Sequence, residues 1–586
     1  MSLAAITDRI VARSRPTRQA YLGRIGSARE AGPRRAALGC SNLAHGMAAC
    51  GAAEKAMLGG GKGPCIAIVS SYNDILSAHQ PFEHFPALIK QAVAEQGGLA
   101  RFAGGVPAMC DGVTQGMAGM ELSLFSRDVI AQSTAVALSH DLFDGALLLG
   151  VCDKIVPGLM IGALAFGHLP AIFVPAGPMA SGIAHGEKAK IRQAYASGKA
   201  TRAELLAAES AAYHAPGTCS FYGTANSNQM LMEMMGVHLP GASFVPALSP
   251  ERDTLTRAAA RQVTKLTEFG LGEMLDERSF VNGMVGLLAT GGSTNHTIHL
   301  PAMARAAGII LDWEDFRDLS KIVPLIARIY PSGAKDVNDF HRAGGLAAVI
   351  GELLAAGLLH RDVRTVNGTD LSPYGETAAA GRDPAVIASA GQPFEQDGGL
   401  TMLSGNLGRA IAKISAVKPE HRSIEAPCRV FTSQEEVDQA FKAGELQRDL
   451  VCVLRFQGPR ANGMPELHKL IPPLGALQDL GFRLALVTDG RMSGASGKIL
   501  SAIHVTPEAA EGGALAKLRD GDVIRIDCAA GVLQVLVSEA ELARRSSAPA
   551  PETGHWGTGR ELFAPFRQAV SPADRGASIF SFDGRS

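Results

Sequence analysis

Short apolar runs alternate with amphipathic helical stretches in the first part of the chain. The runs at residues 65–69, 145–151 and 171–174 have the length and aliphatic content of buried strands. The stretches at 81–96 and 123–139 carry apolar positions at helical spacing. This alternation predicts an α/β fold.

Helical periodicity dominates the middle of the chain and then stops. It extends over residues 254–267, 315–328 and 344–356. Between residues 367 and 399, glycine, proline, serine and charged residues replace the pattern, as is typical of a linker. We therefore expect a large N-terminal α/β domain formed by residues 1–390.

The pattern beyond this boundary predicts a smaller β-rich domain, residues 391–586. Residues 451–454 and 483–487 are apolar runs of the strand type. The segments 522–527 and 532–537 flank an Ala-Ala-Gly turn, which predicts a β-hairpin.

Length, charge and cysteine usage narrow the class of protein. A chain of 586 residues exceeds what one hydrophobic core usually serves, and a net charge of -1 offers no basic surface for nucleic acid. Residues 155–186 lack formal charge, but their prolines and glycines favour short buried strands and turns over a membrane span. Nine scattered cysteines fit a reducing compartment, so we expect a cytoplasmic protein.

Three cysteines stand in turn-like contexts beside small or polar residues. Cys152 directly follows a strand-like run, where functional groups of open α/β sheets gather, and Cys110 and Cys219 lie in similar turns. We interpret these three thiols as metal ligands, although their spacing matches no zinc or ferredoxin pattern. The remaining cysteines are interpreted as small buried hydrophobic residues: Cys40, Cys50, Cys65, Cys428, Cys452 and Cys528.

Acidic residues directly follow two of these thiols. Asp111 and Asp153 place hard oxygen donors beside soft sulfur donors, which suits a composite Lewis-acid centre. Each could equally be a turn or helix-cap residue. Lys154 could balance the local charge or become a further oxygen ligand through carbamylation.

Two glycine-rich polar segments follow apolar runs. Residues 489–498 resemble a strand-to-helix elbow rich in backbone donors, which could cradle an anion, but their spacing fails the P-loop pattern. Residues 291–296 are interpreted as a helix start.

Together these segments closely resemble the iron-sulfur dehydratase family that contains dihydroxy-acid dehydratase, the sugar-acid dehydratases and 6-phosphogluconate dehydratase. The similarity runs almost end to end, and several motifs in the right order are more specific than any one alone. The matching stretches are residues 71–81, 105–116, 150–158, 214–229, 288–296, 457–468 and 488–503.

Within this family the chain looks like the 6-phosphogluconate branch. Dihydroxy-acid dehydratases carry a cluster cysteine in a Pro-Cys-Asn stretch, whereas this chain has Ala78 at that position. The resemblance therefore makes Cys110 the third cluster thiolate, together with Cys152 and Cys219. It implies a 4Fe-4S cluster with one open iron, with a 2Fe-2S cluster as the alternative.

The resemblance also implies roles for individual side chains. It makes Ser493 the catalytic base and Lys154 a second catalytic residue. It also assigns a possible Mg²⁺ to Asp111, Asp153, Glu466 and carbamylated Lys154. Candidate ligands for substrate anions are Arg491, Lys498 and the turn formed by Ser293, Thr294 and Asn295.

The expected function is that of a hydro-lyase that dehydrates the phosphorylated sugar acid 6-phosphogluconate in the Entner-Doudoroff pathway. The alternatives are a dehydratase of an unphosphorylated sugar acid or a 2,3-dihydroxy acid, and a non-catalytic iron-sulfur sensor. The resemblance further implies a homodimer. It also implies a C-terminal β-barrel-like domain similar to the swivelling domain of aconitase.

Overall fold

The structure is a computed structural model that describes residues 1–32, 34–61, 63–376, 382–493, 497–552 and 554–582. Its strands are β1 (Cys65–Ser70), β2 (Leu99–Gly105), β3 (Gly145–Leu149), β4 (Ala171–Val174), β5 (Leu400–Gly405), β6 (Gly408–Lys413), β7 (Ser423–Phe431), β8 (Leu450–Leu454), β9 (Leu484–Thr488), β10 (Leu500–Thr506), β11 (Val523–Asp527) and β12 (Val532–Val535).

Helices surround both sets of strands. The α-helices are α1 (Leu3–Glu30), α2 (Cys40–Met47), α3 (Ala52–Gly60), α4 (Phe85–Ala94), α5 (Asp111–Thr114), α6 (Ser123–Leu138), α7 (Ile155–Leu164), α8 (His185–Ala196), α9 (Arg202–Ala212), α10 (Thr224–Met234), α11 (Pro250–Val263), α12 (Leu271–Met274), α13 (Glu277–Ala289), α14 (His296–Ala306), α15 (Trp313–Ser320), α16 (Val337–Arg342), α17 (Gly345–Ala355), α18 (Ser372–Glu376), α19 (Gln434–Lys442), α20 (Pro459–Asn462), α21 (Ile471–Asp479), α22 (Glu539–Arg544) and α23 (Ala564–Ala569). The 3₁₀-helices are Arg34–Ala37, Gln80–Glu83, Ala118–Leu122, Pro419–His421, Ala509–Glu511, Ala514–Lys517, Arg560–Phe563 and Ala573–Arg575.

The first half is built on a parallel four-stranded sheet in the order β2-β1-β3-β4. Strands β1, β3 and β4 are buried along their whole length, because helices cover both faces of the sheet. The predicted α/β fold is confirmed. The carboxyl ends of β1 and β3 lie side by side, so the loops that follow them meet at one edge.

The second half contains a closed barrel in the order β10-β6-β5-β12-β11-β7-β8-β9. Strands β7 to β10 run parallel to their sequence neighbours, and β11 and β12 form the predicted antiparallel hairpin. Apolar side chains such as Ala410, Val453 and Ile524 fill the barrel. The predicted β-barrel-like architecture is therefore confirmed.

Two segments differ from the sequence pattern. The helix predicted at residues 315–328 ends at Ser320, because Pro324 cannot continue it and the chain becomes extended. The described part of the predicted linker packs against that extended segment through the bridges Leu325↔Glu395 and Ala327↔Ile387. The domain division at residue 390 stays a prediction.

The chain returns to the first half after the barrel. Arg127 on α6 donates hydrogen bonds to the carbonyl oxygens of Gly576 and Ala577, and Phe125 stacks on Phe563. The tail thus fixes α6, whose first turn supports the site below. Across the part of the chain that the structure describes, no helix has both the length and the apolar character needed to cross a membrane.

Candidate active site

The candidate site lies where loops of the parallel sheet meet loops of the barrel. The sheet contributes the turn after β3, the start of α5 and the segment before α10. The barrel contributes the loops after β8 and β9, which approach each other through the bridge Glu466↔Arg491. Residues far apart in sequence therefore share one site, at the carboxyl end of β3 as the sequence predicts.

Three carboxylates form the hydrophilic centre of this site. One oxygen from each of Asp111, Asp153 and Glu466 lies within 4.8 Å of the other two. Oxygen donors at this spacing suit a divalent cation such as Mg²⁺. The geometry brings together all three carboxylates that the sequence analysis assigns to the metal.

Local backbone geometry presents two of these groups. Asp153 follows Cys152, which adopts the left-handed conformation with φ 70°. Glu466 follows a turn through Gly463, φ 77°, where a Cβ atom would lie 2.1 Å from the carbonyl oxygen of Glu121. Only glycine therefore allows the barrel loop to approach the first half this closely.

Two buried cations hold the carboxylates together. Lys154, 1% exposed, donates to Asp111 and, at 3.3 Å, to Asp153. Arg491 donates to Asp111 at 2.9 Å and to Glu466 at 3.2 Å, so it ties the barrel to the sheet domain. Its guanidinium also donates to the carbonyl oxygen of Met464.

The carboxylates differ in how readily they ionise. Burial opposes ionisation of Asp111, but the charges of Lys154 and Arg491 overcome it and hold the pKa of Asp111 below its usual range. Burial and the charge of Asp111 raise the pKa of Glu466 to about 7, and burial raises the pKa of Asp153. A bound cation would favour the ionised form of all three, so the residues fit a metal ion.

Neutral donors position these groups, and sequence reasoning missed them. Gln115 donates to Glu466 at 2.6 Å, and Ser123 donates to Asp111. The amide nitrogen of Asn228 donates to the carbonyl oxygens of Cys152 and Asp153. Gln115 and Asn228 lie in stretches that carry the family resemblance, but only the fold reveals their partners.

The three predicted cluster cysteines lie near one another: Cys152 is buried, and Cys110 and Cys219 are half-buried. Burial and the charges of Cys110, Asp153 and Cys219 raise the pKa of Cys152 well above its usual value. Burial and the charge of Cys110 raise the pKa of Cys219 to about 12. Three neighbouring thiols that do not ionise readily by themselves are suited to a bound iron centre. Iron deprotonates its thiol ligands and prefers soft donors.

The other cysteines of the chain are structural, with one exception. Cys50, Cys65, Cys428, Cys452 and Cys528 are buried, in agreement with their interpretation as small hydrophobic residues. Cys40 is exposed, so that interpretation is wrong for this residue. It opens α2, whose residues are not buried in the structure.

The turn of Ser293, Thr294 and Asn295 is buried and precedes α14, as predicted for a helix start. The hydroxyls of Ser293 and Thr224 are hydrogen-bonded at 2.8 Å, and Asn295 donates to the same Thr224 oxygen at 3.1 Å. These contacts attach α14 to the first turn of α10. The role of this turn in binding a substrate anion stays a prediction.

The loop after β9 is not a strand-to-helix elbow. Its described residues contain no helix and lead into β10, so that prediction is wrong. Asp489 instead anchors the loop by accepting backbone N–H groups of Phe456, Gln457 and Ala509. Ser493 is half-buried, two residues after Arg491. Residues 494–496 lie outside the described residues.

Lys498 lies at the surface beyond this loop. Its ammonium pairs with Asp479 at 2.6 Å, and both side chains are partly exposed. The position of Lys498 thus differs from that of Arg491, which lies inside the carboxylate cluster. Arg491 therefore belongs to the candidate site, whereas Lys498 lies outside it.

A buried acid beneath this loop predicts a pH dependence of stability. Burial and the charge of Asp489 raise the pKa of Glu508 to about 8. The folded chain therefore binds this proton more tightly than the unfolded chain, and the stability it provides is lost as pH rises from about 4 to about 8. We expect Glu508→Gln to reduce this loss, as measured by chemical denaturation across that range.

The control for this prediction is Glu420→Gln, because Glu420 is exposed. The control should retain the pH dependence of the wild type. An identical pH profile for Glu508→Gln and wild type would contradict the assignment of this proton to Glu508.

Comparisons with known proteins show which family the sequence matches. The model of the dihydroxy-acid/6-phosphogluconate dehydratase N-terminal domain matches residues 63–374, and that of the C-terminal domain matches residues 385–577. A phosphogluconate dehydratase of Rhizobium meliloti is 60% identical and one of Escherichia coli K12 is 59% identical, each over at least 98% of both chains. A dihydroxy-acid dehydratase of Caldanaerobacter subterraneus is 38% identical over 83% of this chain and 88% of its own.

Proposed function

This chain belongs to the dihydroxy-acid/6-phosphogluconate dehydratase family, and we propose that it converts 6-phospho-D-gluconate to 2-dehydro-3-deoxy-6-phospho-D-gluconate and water. The observation that carries the reaction type is the single site that joins three thiols to three carboxylates. The choice of substrate is supported by full-length similarity to phosphogluconate dehydratases.

The reaction removes a proton from C2 and a hydroxyl from C3. The C2 proton is weakly acidic because the carbanion lies beside a carboxylate, and hydroxide is a poor leaving group in neutral water. A catalyst must therefore stabilise negative charge at the carboxylate end and assist the departing oxygen. The enol that remains tautomerises to the 2-keto acid.

We assign the cluster to Cys110, Cys152 and Cys219, and Mg²⁺ to Asp111, Asp153 and Glu466. By resemblance to the 6-phosphogluconate branch of the family, we favour a 4Fe-4S cluster with one open iron over a 2Fe-2S cluster. When bound, these groups would supply Lewis-acid stabilisation to the hydroxyl and carboxylate of the substrate. Carbamylation of Lys154 would replace its positive charge by a further oxygen ligand.

The remaining chemistry belongs to side chains of the chain itself. We propose that Ser493 is the catalytic base, whose Oγ, as an alkoxide, accepts the C2 proton. Arg491 fixes the start of the Ser493 loop by its bonds to Asp111 and Glu466. Gln115 keeps Glu466 oriented, so that the carboxylates are positioned before substrate binds.

Three finer assignments rest on the family resemblance. We propose that the enzyme works in the cytoplasm, as part of the Entner-Doudoroff pathway, and that it is a homodimer.

A non-catalytic iron-sulfur sensor would require the thiols but not the carboxylate cluster beside them. Dehydration of an unphosphorylated sugar acid or a 2,3-dihydroxy acid would use the same groups and differ in the substrate pocket.

The direct test compares substrates on anaerobically prepared, iron-loaded protein. We expect formation of the 2-keto-3-deoxy product from 6-phosphogluconate, with a much lower kcat/KM for gluconate. Higher kcat/KM for gluconate would move the assignment to the sugar-acid dehydratases. No turnover of either compound by protein with a full cluster would overturn the dehydratase assignment.

A further inference from the structure

A group of basic side chains lines the contact between α8 of the sheet domain and α21 of the barrel, beside the candidate site. We call this group the basic seam and define it by Lys188, Arg192, His468 and Lys469. The seam begins next to the carboxylates, because His468 and Lys469 follow Glu466 in sequence. A Cβ on Gly116, the residue after Gln115, would lie 3.1 Å from His468 Cε1 and 2.7 Å from Lys469 Cε.

Lys188 is the most deeply buried cation of the seam. The residue is 5% exposed, and its Nζ donates to the hydroxyl of Tyr213 at 2.8 Å and lies 4.1 Å from the centre of the same ring. It forms no ion pair with any carboxylate of the described residues. A buried ammonium without a carboxylate partner is costly, so its position favours the binding of a further anion.

Lys188 also lies near the predicted cluster. Its positive charge acts on the thiol of Cys219, whose pKa burial raises. Burial and the charge of Arg192 lower the pKa of Lys188 to about 8. An anion bound by Lys188 would therefore lie near Cys219, one of the predicted cluster ligands.

Arg192 and His468 extend the seam across the domain contact. The Arg192 side chain is 45% exposed and pairs with Glu209, so it reaches the solvent side of the seam. His468 is half-buried, and Lys469 is exposed and pairs with Glu435 at 2.8 Å. The seam therefore runs from a buried end at Lys188 to an open end at Arg192.

Two buried ring nitrogens adjoin the seam and have no hydrogen-bond partner among the described residues. They are Nδ1 of His185, one helical turn before Lys188, and Nδ1 of His468. Buried polar atoms usually have a partner, so these nitrogens indicate a site for further polar atoms, such as phosphate oxygens or ordered water.

We propose that the basic seam binds the phosphate group at C6 of the substrate, with Lys188 as the specificity-determining residue. This inference rests on the proposed function and identifies the part of the site that distinguishes a phosphorylated from an unphosphorylated sugar acid. Arg491 and Lys498 are already paired with carboxylates, whereas Lys188 is not. An ammonium is a suitable ligand for a phosphate dianion.

The test uses Lys188→Met and Arg192→Gln in the iron-loaded enzyme, with Lys190→Met as the control. Methionine keeps an unbranched apolar chain against Tyr213, and removing an unpaired buried charge should not lower stability. Arg192 is partly exposed, so Arg192→Gln gives a second variant that is expected to fold. Lys190 is an exposed lysine on the same helix.

We expect Lys188→Met to raise KM for 6-phosphogluconate roughly 10- to 100-fold, the effect of losing one charged hydrogen bond. Arg192→Gln should raise this KM by a smaller factor. Inhibition by inorganic phosphate should weaken in parallel, whereas competitive inhibition by gluconate, iron content and the behaviour of Lys190→Met should not change.

Two results would overturn the phosphate assignment. Unchanged KM and unchanged phosphate inhibition in both variants would place the phosphate elsewhere. Equal weakening of phosphate and gluconate inhibition, with loss of iron, would show that Lys188 supports the cluster instead. Failure of the proposed function is distinguishable from failure of the phosphate assignment, because the wild type would then not turn over 6-phosphogluconate. Phosphate binding to the wild type and the variants could still be compared by calorimetry.

Discussion

Replacing Ser493 by alanine is expected to lower kcat for 6-phosphogluconate by roughly 10²- to 10⁴-fold, the usual contribution of a general base. We expect this loss of kcat because Ser493 Oγ accepts the C2 proton in the proposed mechanism. Iron content and the KM for substrate should remain close to wild type, since Arg491 and Asp489 anchor the loop independently of the hydroxyl. Anaerobic steady-state kinetics with iron determination measures both.

The matched control is Ser501→Ala. Ser501 is half-buried on β10, downstream of the same loop, and its hydroxyl donates to the carbonyl oxygen of Ile499. This variant should retain the wild-type kcat. A Ser493→Ala enzyme with full kcat would exclude this hydroxyl as the base.

Asp111→Asn should have the second large effect, on stability as well as on turnover. Asp111 accepts from both Lys154 and Arg491, so the variant leaves two buried cations with one charged partner fewer. Breaking a buried pair in this way typically costs about 3–5 kcal/mol. We therefore expect a lower free energy of unfolding in the metal-free protein and loss of turnover in the loaded enzyme.

The control for this prediction is Asp8→Asn. Asp8 is exposed on α1, and its substitution should leave both the unfolding transition and turnover unchanged. Wild-type stability together with wild-type turnover in Asp111→Asn would contradict the central position given to this carboxylate.

Three fully buried strands were predictable from the sequence, whereas two strands with exposed positions, β2 and β7, were not. Strands β1, β3 and β4 are apolar throughout because both faces of the sheet are covered. In contrast, β7 alternates between exposed and buried residues, and β2 at the sheet edge retains exposed positions. Such strands lack a continuous apolar run, so their position was not predicted.

The site could be predicted to the level of its motifs but not of its contacts. The residues next to Cys110 and Cys152 were predicted because thiol and acid are adjacent in sequence. The bond from Gln115 to Glu466 joins residues 351 positions apart, and that from Arg491 to Asp111 joins residues 380 apart. Pairing at such separation depends on how the barrel packs on the sheet domain, which a local pattern does not encode.

Lys188 illustrates the same limit. In sequence it is one of several charged residues on α8, and nothing separates it from the exposed Lys190. Only the fold shows that Lys188 faces Tyr213 and the neighbourhood of Cys219, away from solvent. The burial of a charge, rather than its presence, is the informative observation.

Dependence of the reaction on iron can be tested by following turnover of 6-phosphogluconate and bound iron together while air is admitted in steps to the anaerobic enzyme. We expect activity to fall in proportion to the iron lost and to return after anaerobic reconstitution. Full turnover of 6-phosphogluconate by protein that has lost its iron would contradict this expectation.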